Sequence, residues 1–328
     1  MLIKNIFQNI LEKNKYLNKF YYFLRSPLKN LQILFPDTYG GAKYYFYLMK
    51  LINHFSYRKR VLLKNIFLEN IKKFKIIHPD FGYLKLDFKD NKDLKKTIKI
   101  SNDLLNSSLK NKLFSSNQKK PFLITKSINL LDKKFLPIKS FLMSPSFLAT
   151  ISEYLGSFPV LWTSSIWFSP NTEFTFGRSQ NYHMDNEDFK QIKCFIPLED
   201  INIENGPLTV INAKQTKQLF ETLRKKKMTK YRHTKITDEV VHSLQDKKDE
   251  VKLTAKTGEV LFLDTSRCYH YGSRPSPKSR RLLFIQFFSI NSRKINFSQK
   301  KYNQNLTTKV ERELFKFYKI EESMINTD

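Results

Sequence analysis

Cysteine is almost missing from this chain: 328 residues contain two, Cys194 and Cys268. Two thiols cannot form the disulfide framework that staples small secreted folds, so buried free thiols in a reducing compartment are expected. There is no run of about 18 apolar residues, which excludes an ordinary transmembrane helix. The first residues, MLIKNIFQNILEKNKY, have neither a continuous apolar core nor a small-residue cleavage site. They do not read as a secretory signal, and a cytoplasmic protein is the expectation. Carboxylates are scarce, 30 against 58 lysines and arginines, for a formal charge of +28. Such a balance can serve nucleic-acid or anionic-membrane binding. Yet no helix-turn-helix signature, zinc-finger spacing or aromatic RNP pattern accompanies it. The excess is mostly lysine, spread among abundant Ile, Asn, Phe and Tyr, a composition that AT-rich coding favours. It reads as a solvated lysine surface, and no nucleic-acid partner is expected. Internal repeats and flexible linkers are also lacking, so residues 1–328 are taken as one domain, long enough to bury a sizeable core.

What is present divides the chain unevenly. Residues 1–157 look largely helical. Leu2, Ile3, Ile6, Phe7, Ile10 and Leu11 recur at helical spacing within residues 2–24. That stretch predicts an amphipathic helix packed on the domain, with peripheral membrane contact as the rival reading. Ala42 to Phe74 predicts a helix carrying Tyr45, Leu48, Leu51 and Ile52 on one side. Leu84 to Phe88 alternates as an edge strand would. Residues 91–119 are polar and lysine-rich, with room for one short helix. Pro137 to Leu155 predicts a helix interrupted at Pro145. From Phe158 strands dominate: Val160 to Phe168, Gln191 to Leu198, and Pro207 to Ile211. Residues 213–256 interrupt that pattern with a basic run, Arg224 to Arg232, which reads as a solvated charged loop, with a lid over an anionic substrate as the rival reading. Residues 291–328 form a polar tail with helical spacing from Val310 to Tyr318.

The stretch Gln180-Asn-Tyr-His-Met-Asp-Asn186 carries the chemistry. On an extended segment His183 and Asp185 point to the same side. An imidazole and a carboxylate so placed are two of the three ligands of a non-haem iron site. Of the remaining histidines His270 is best placed, following the strand-like Gly258-Glu-Val-Leu-Phe-Leu-Asp264. His54, His233 and His242 read as structural or surface residues. After His270 comes Arg281-Leu-Leu-Phe-Ile-Gln-Phe-Phe288, a buried strand that begins with an arginine. An arginine at the mouth of a barrel could hold a dicarboxylate by a bidentate pair. Arg280 is the competing choice, since adjacent strand residues face opposite ways.

The order His183-x-Asp185, Asn205-Gly-Pro-Leu208, Gly258-Glu259, His270, Arg281 resembles the phytanoyl-CoA dioxygenase family over roughly residues 158–290. The resemblance implies an α+β fold with a mainly β core. That core would be a double-stranded β-helix, a cupin-like jelly-roll barrel, with N- and C-terminal helices packed around it. It also implies Fe(II), 2-oxoglutarate as co-substrate and O2. His183, Asp185 and His270 would be the metal ligands, and the family's spacing favours Arg281 for the far carboxylate. Thr209 and Gln180 are further candidates for co-substrate contacts, each with a purely structural alternative. The implied activity is hydroxylation of a C–H bond in a small organic molecule, with release of succinate and CO2. A carboxylate at Asp185 argues against halogenation. One departure is visible: Asn212-Ala-Lys-Gln215 stands where the family often has a Pro-Gly-Ser-His turn. The rival readings are a cupin-like barrel that has lost catalysis, and a basic protein that binds polyanions or membrane surfaces.

Overall fold

The computed structural model describes residues 39–111, 122–172, 178–226, 235–295 and 306–319. Its helices are α1 (Tyr39–Ile52), α2 (His54–Glu69), α3 (Lys92–Lys110), α4 (Leu136–Leu142), α5 (Pro145–Leu155), α6 (Ala213–Lys225), α7 (Asp238–His242) and α8 (Lys309–Leu314). Its strands are β1 (Tyr83–Asp87), β2 (Ile124–Ser127), β3 (Val160–Ser169), β4 (Tyr182–His183), β5 (Gln191–Pro197) and β6 (Leu208–Val210). They continue as β7 (Lys235–Ile236), β8 (Val251–Leu253), β9 (Glu259–Leu263), β10 (His270–Tyr271) and β11 (Arg280–Phe288).

All pairings are antiparallel and build two sheets. The larger has the order β1-β9-β5-β11-β3-β2, the smaller β7-β4-β10-β6-β8. Within them β3, β11, β5 and β9 face β4, β10, β6 and β8, and the chain crosses between the sheets at nearly every step. That is the strand order of a jelly roll, a double-stranded β-helix, with β1, β2 and β7 added at the edges. The fold is α+β with this barrel as its core, as the sequence implied.

Strand alternation decides what each face does. On β11, Leu283, Ile285 and Phe287 point outward and join the main apolar core with Ile192, Cys194, Phe262 and helices α3 to α5. Leu282 and Phe284 point inward with Phe195, Leu208, Leu253 and Leu261. With both faces covered, β11 reads as an almost unbroken apolar run. The outer face of the smaller sheet is closed by Leu219 and Leu223 of α6 and Val241 of α7, against Tyr182 and Tyr269. Helices α6 and α7 of the 213–256 stretch thus lie behind that sheet, the same stretch gives it β7 and β8, and residues 227–234, which hold the end of the basic run and His233, are outside the described residues.

Two helices differ from the sequence expectation. The 91–119 stretch holds a 19-residue helix, α3. Its buried face is Leu94, Thr97, Ser101, Leu105 and Ser108, so small polar residues fill apolar positions and mask the period. Asn91 caps it by accepting from the Leu94 amide at 2.9 Å. Helix α6 begins where the family's turn was missing: Asn212 accepts from the Gln215 amide at 2.8 Å and starts a helix instead. In α1 the buried side is Ala42, Tyr45, Phe46 and Met49, while Leu51 and Ile52 are exposed. Residues 2–24 lie outside the described residues. Both cysteines are buried and free.

Candidate metal centre

β4 and β10 are two-residue strands paired so that His183 and His270 sit directly opposite each other. Their rings lie 4.2 Å apart. Asp185 follows two residues on, its amide held by the carbonyl of Thr265 at 2.8 Å. Its Oδ1 is 4.0 Å from His183 Nε2, and its Oδ2 is 3.8 Å from His270 Nε2. One ligand atom from each residue falls within 4.8 Å of the others.

The tautomers suit a cation. His183 Nδ1–H donates to the Asn181 carbonyl, and His270 Nδ1–H to the Cys268 carbonyl, both at 2.9 Å. A carbonyl only accepts, so each Nε2 keeps its lone pair toward the other ligands. Burial, then the neighbouring His270, pushes His183 down to about 3. Burial also lowers His270. For Asp185 burial works toward protonation, but Lys193 and the two imidazoles outweigh it and hold the carboxyl well below the usual range. Neutral imidazoles and an ionised carboxylate are the protonation states that metal binding requires.

Lys193, on β5, is the site residue that sequence reasoning missed. Its Nζ donates to Asp185 Oδ2 at 2.6 Å, leaving Oδ1 for a metal. The signal was present: Gln191 and Lys193 are polar residues two apart on an otherwise apolar strand, so they share one face.

These groups line a cavity of about 360 Å³ inside the barrel. At one end lies Arg280, 4% exposed. Its Nη1 donates to the Gly206 carbonyl at 2.8 Å and its Nη2 to Ser273 Oγ at 3.0 Å. Its Nε is buried without a partner. Burial lowers its pKa only to about 10, so it stays cationic near neutrality. Among the described residues no carboxylate pairs with it. A buried cation in that state calls for an anion from outside. Gly272 leaves the room it needs, since a Cβ there would come within 3.3 Å of Arg280 Nη2.

Arg281 is turned the other way, which corrects the sequence expectation. Its Nη1 donates to Asn106 Oδ1 of α3 at 3.0 Å, and its Nε lies 3.7 Å from Glu199. Alternation from the cavity-lining Leu282 and Phe284 puts Arg280 and Gln286 on the inner face and Arg281 on the outer one with Leu283. The other two candidates also miss the cavity wall. Gln180 is fully buried and donates to the Ser273 carbonyl at 2.7 Å, bracing the loop that carries Arg280's partner. Thr209 faces outward between Leu208 and Val210, against Tyr271 across the β6–β10 pair. Trp167 lines the cavity, stacked on Phe284 at 4.0 Å and 13°. Trp162 packs against Phe288 instead.

No family model matches the sequence, and no curated protein matches it either. Solved structures of similar shape include EctD from S. alaskensis with 2-oxoglutarate and 5-hydroxyectoine. It has TM-score 0.46 and 16% identity, over 65% of this chain and 74% of that one. The epimerase SnoN from nogalamycin biosynthesis, in complex with Fe3+, alpha ketoglutarate and nogalamycin RO, has TM-score 0.42 and 12% identity, over 64% and 80%. AviO1 from Streptomyces viridochromogenes Tue57 has TM-score 0.43 and 13% identity, over 66% and 94%. Likeness at this level is one of overall shape.

Proposed function

We propose that this chain is a non-haem Fe(II)- and 2-oxoglutarate-dependent dioxygenase that hydroxylates a C–H bond of a small organic substrate. The observation that carries this reading is a pair of unlike groups in one cavity. A three-ligand set, neutral at both imidazoles and charged at Asp185, faces inward at the middle. A buried guanidinium with no acidic partner among the described residues faces inward at the end. The first suits a divalent metal and the second suits the far carboxylate of a dicarboxylate chelated to it.

His183 Nε2, His270 Nε2 and Asp185 Oδ1 would hold the iron. When bound, iron with 2-oxoglutarate supplies the activation of O2, with succinate and CO2 as the co-products. The chain's own residues do the rest. Arg280, positioned by Gly206 and Ser273, fixes the co-substrate's direction. Lys193 holds the second oxygen of Asp185, which keeps that carboxylate turned to the imidazoles. Phe195, Leu208, Leu261, Leu282 and Phe284 make the walls apolar and exclude water from the reacting atoms.

The test is succinate formation from 2-oxoglutarate by protein purified anaerobically, given Fe(II) and then air, beside His183→Ala. Iron-dependent succinate that disappears in the variant is the expected result. No succinate, with no 2-oxoglutarate binding to metal-loaded protein, overturns the reading. The ion pair at Asp185 favours one second reading: a barrel in which Lys193 serves as the site's permanent cation and no metal binds. Titration with Co(II) or Mn(II) separates the two, since that barrel would show no metal-dependent rise in Tm.

A further inference from the structure

The end of the cavity away from Arg280 carries a polar row of its own. Gln286 of β11 pairs in register with Thr163 of β3 on one side and Lys193 of β5 on the other. All three line the cavity. Gln286 is six residues from Arg280 along one strand, about 20 Å at the usual rise. Between them lies the aromatic belt of Trp167, Phe284 and Phe195. Lys193 touches Asp185, so the row adjoins the metal ligands on the side that a co-substrate running to Arg280 leaves open.

Behind the row runs a short chain of side-chain hydrogen bonds. Gln286 Nε2 donates to Gln191 Oε1 at 2.9 Å. Gln191 Nε2 donates to Glu187 Oε2 at 3.0 Å. Its direction does not depend on how the amides are drawn. A carboxylate only accepts, so Gln191 must turn its nitrogen to Glu187 and its oxygen to Gln286. Gln286 must then turn its nitrogen to Gln191. Its carbonyl oxygen is the atom left to the cavity, and no described group donates to it. Glu187 lines the same cavity. Among the described residues no lysine or arginine pairs with Glu187, and the lysine in the row is held by Asp185 at 2.6 Å. Thr163 Oγ1 is buried beside Gln286 without a partner.

We infer that this end of the cavity recognises a positively charged nitrogen of the substrate, placed between Glu187 and Gln286 Oε1. The inference rests on the oxygenase reading for the word substrate, and names its class: a small amine-bearing molecule. The two ends of the cavity answer each other. Among the described residues Arg280 is a buried cation with no anion paired to it, and Glu187 is a half-buried carboxylate with no lysine or arginine paired to it. A carboxylate in a confined, partly apolar site is stabilised by a charged donor more than by a neutral one. Gln191 is a positioning residue, since its only role in this scheme is to orient Gln286.

The test uses the full chain and two probes of equal length, n-butylammonium and butanol. Binding is read by saturation-transfer NMR with metal-loaded protein and no co-substrate. The expected result is that butylammonium binds at least tenfold more tightly than butanol. Glu187→Gln should remove most of that preference, because it removes the charge and frees the amide chain to reverse. Equal binding of the two probes by the unaltered chain overturns the inference, and that comparison needs no variant. Unchanged butylammonium preference in a folded Glu187→Gln protein also overturns it. The oxygenase reading is judged separately by iron-dependent succinate, so failure of one is distinguishable from failure of the other.

Discussion

Arg280 and Arg281 are neighbours in sequence and face opposite sides of one strand. Which face of β11 lines the barrel therefore decides whether a charge lies against α3 or inside the cavity. The consequence is measurable by titrating 2-oxoglutarate into metal-loaded protein calorimetrically. Arg280→Ala should weaken binding by about 10- to 100-fold, the range for losing hydrogen bonds to a charged group. Arg281→Ala should stay within about twofold, because its guanidinium meets Asn106 and Glu199 outside the cavity. The reverse ranking would return the anchor to Arg281. Sequence could narrow the choice to two adjacent arginines and no further, since both faces of β11 are apolar and pattern alone does not mark the one that lines the barrel.

Single elements are held by contacts that local sequence only hints at. Helix α8 starts at a capping box in which Thr308 Oγ1 accepts from the Glu311 amide at 3.1 Å and Glu311 accepts from the Thr308 amide at 3.1 Å. Lys139 of α4 adds an ion pair to Glu311 at 3.0 Å. Burial alone would raise the Glu311 carboxyl, but Lys139, Thr308 and Thr307 outweigh it and bring it down to about 2. A depressed carboxyl stabilises the fold above its unfolded value, near 4.3. That contribution is lost as pH falls from about 4.5 toward 2. Glu311→Gln should therefore lower Tm at pH 7 and converge with the parent near pH 2, and parallel Tm curves would refute this. Glu311→Ala should cost about 1 kcal/mol at neutral pH by urea unfolding, the usual worth of a helix cap.

Gly82 shows the same dependence on a distant partner. Its φ is +72°, and a Cβ there would lie 2.6 Å from Cys268 Sγ. Its carbonyl accepts from the Asp264 amide at 2.7 Å, tying the start of β1 to the loop that leads to His270. Gly82→Ala should destabilise by about 1–3 kcal/mol through overpacking and left-handed strain. Cys268→Ala should relieve the overpacking part and leave the backbone part. Equal losses in both backgrounds would show that the thiol is not the obstacle.

At the scale of the molecule, Arg60 joins parts of the chain far apart in sequence. It is 2% exposed. Its Nη1 donates to the carbonyls of Phe158 and Pro159 at 3.1 and 2.9 Å. Its Nη2 donates to the Glu313 carbonyl at 2.6 Å and to Glu313 Oε2 at 3.1 Å. One guanidinium thereby ties α2 to the entry of β3 and to α8. Arg60→Ala leaves Glu313 without its buried partner and should cost about 3–5 kcal/mol. Urea denaturation followed by far-UV circular dichroism reads this directly, and a loss under 1 kcal/mol would mean that Lys59 and Lys316 suffice for Glu313. Metal addition should act on the whole fold as well. A divalent ion at about 100 times its Kd should add about 2.7 kcal/mol by mass action, and His270→Ala should abolish that increment. Among the described residues no helix is long and apolar enough to cross a membrane.

Local order determined much of what could be known beforehand. The i, i+2 spacing of His183 and Asp185 puts two ligands on one side of any extended backbone, whatever surrounds it. The apolar density of Val160 to Phe168 and Arg281 to Phe288 marks buried strands, and a proline at 145 separates two helices. These are short-range consequences of backbone geometry. Longer-range facts waited for the tertiary structure. Thr97, Ser101 and Ser108 became core residues only because α3 packs on the sheet, so its helix was invisible as an apolar pattern. Lys193 became a site residue because the sheet that holds β5 closes over the sheet that holds β4, which no local rule specifies. The pairing of β11 with β5 and β3 set Gln286 beside Lys193 and Thr163, and strand parity chose Arg280 over its neighbour. Spacing along the chain can name ligand types; only the closing of two sheets decides which side chains share a cavity.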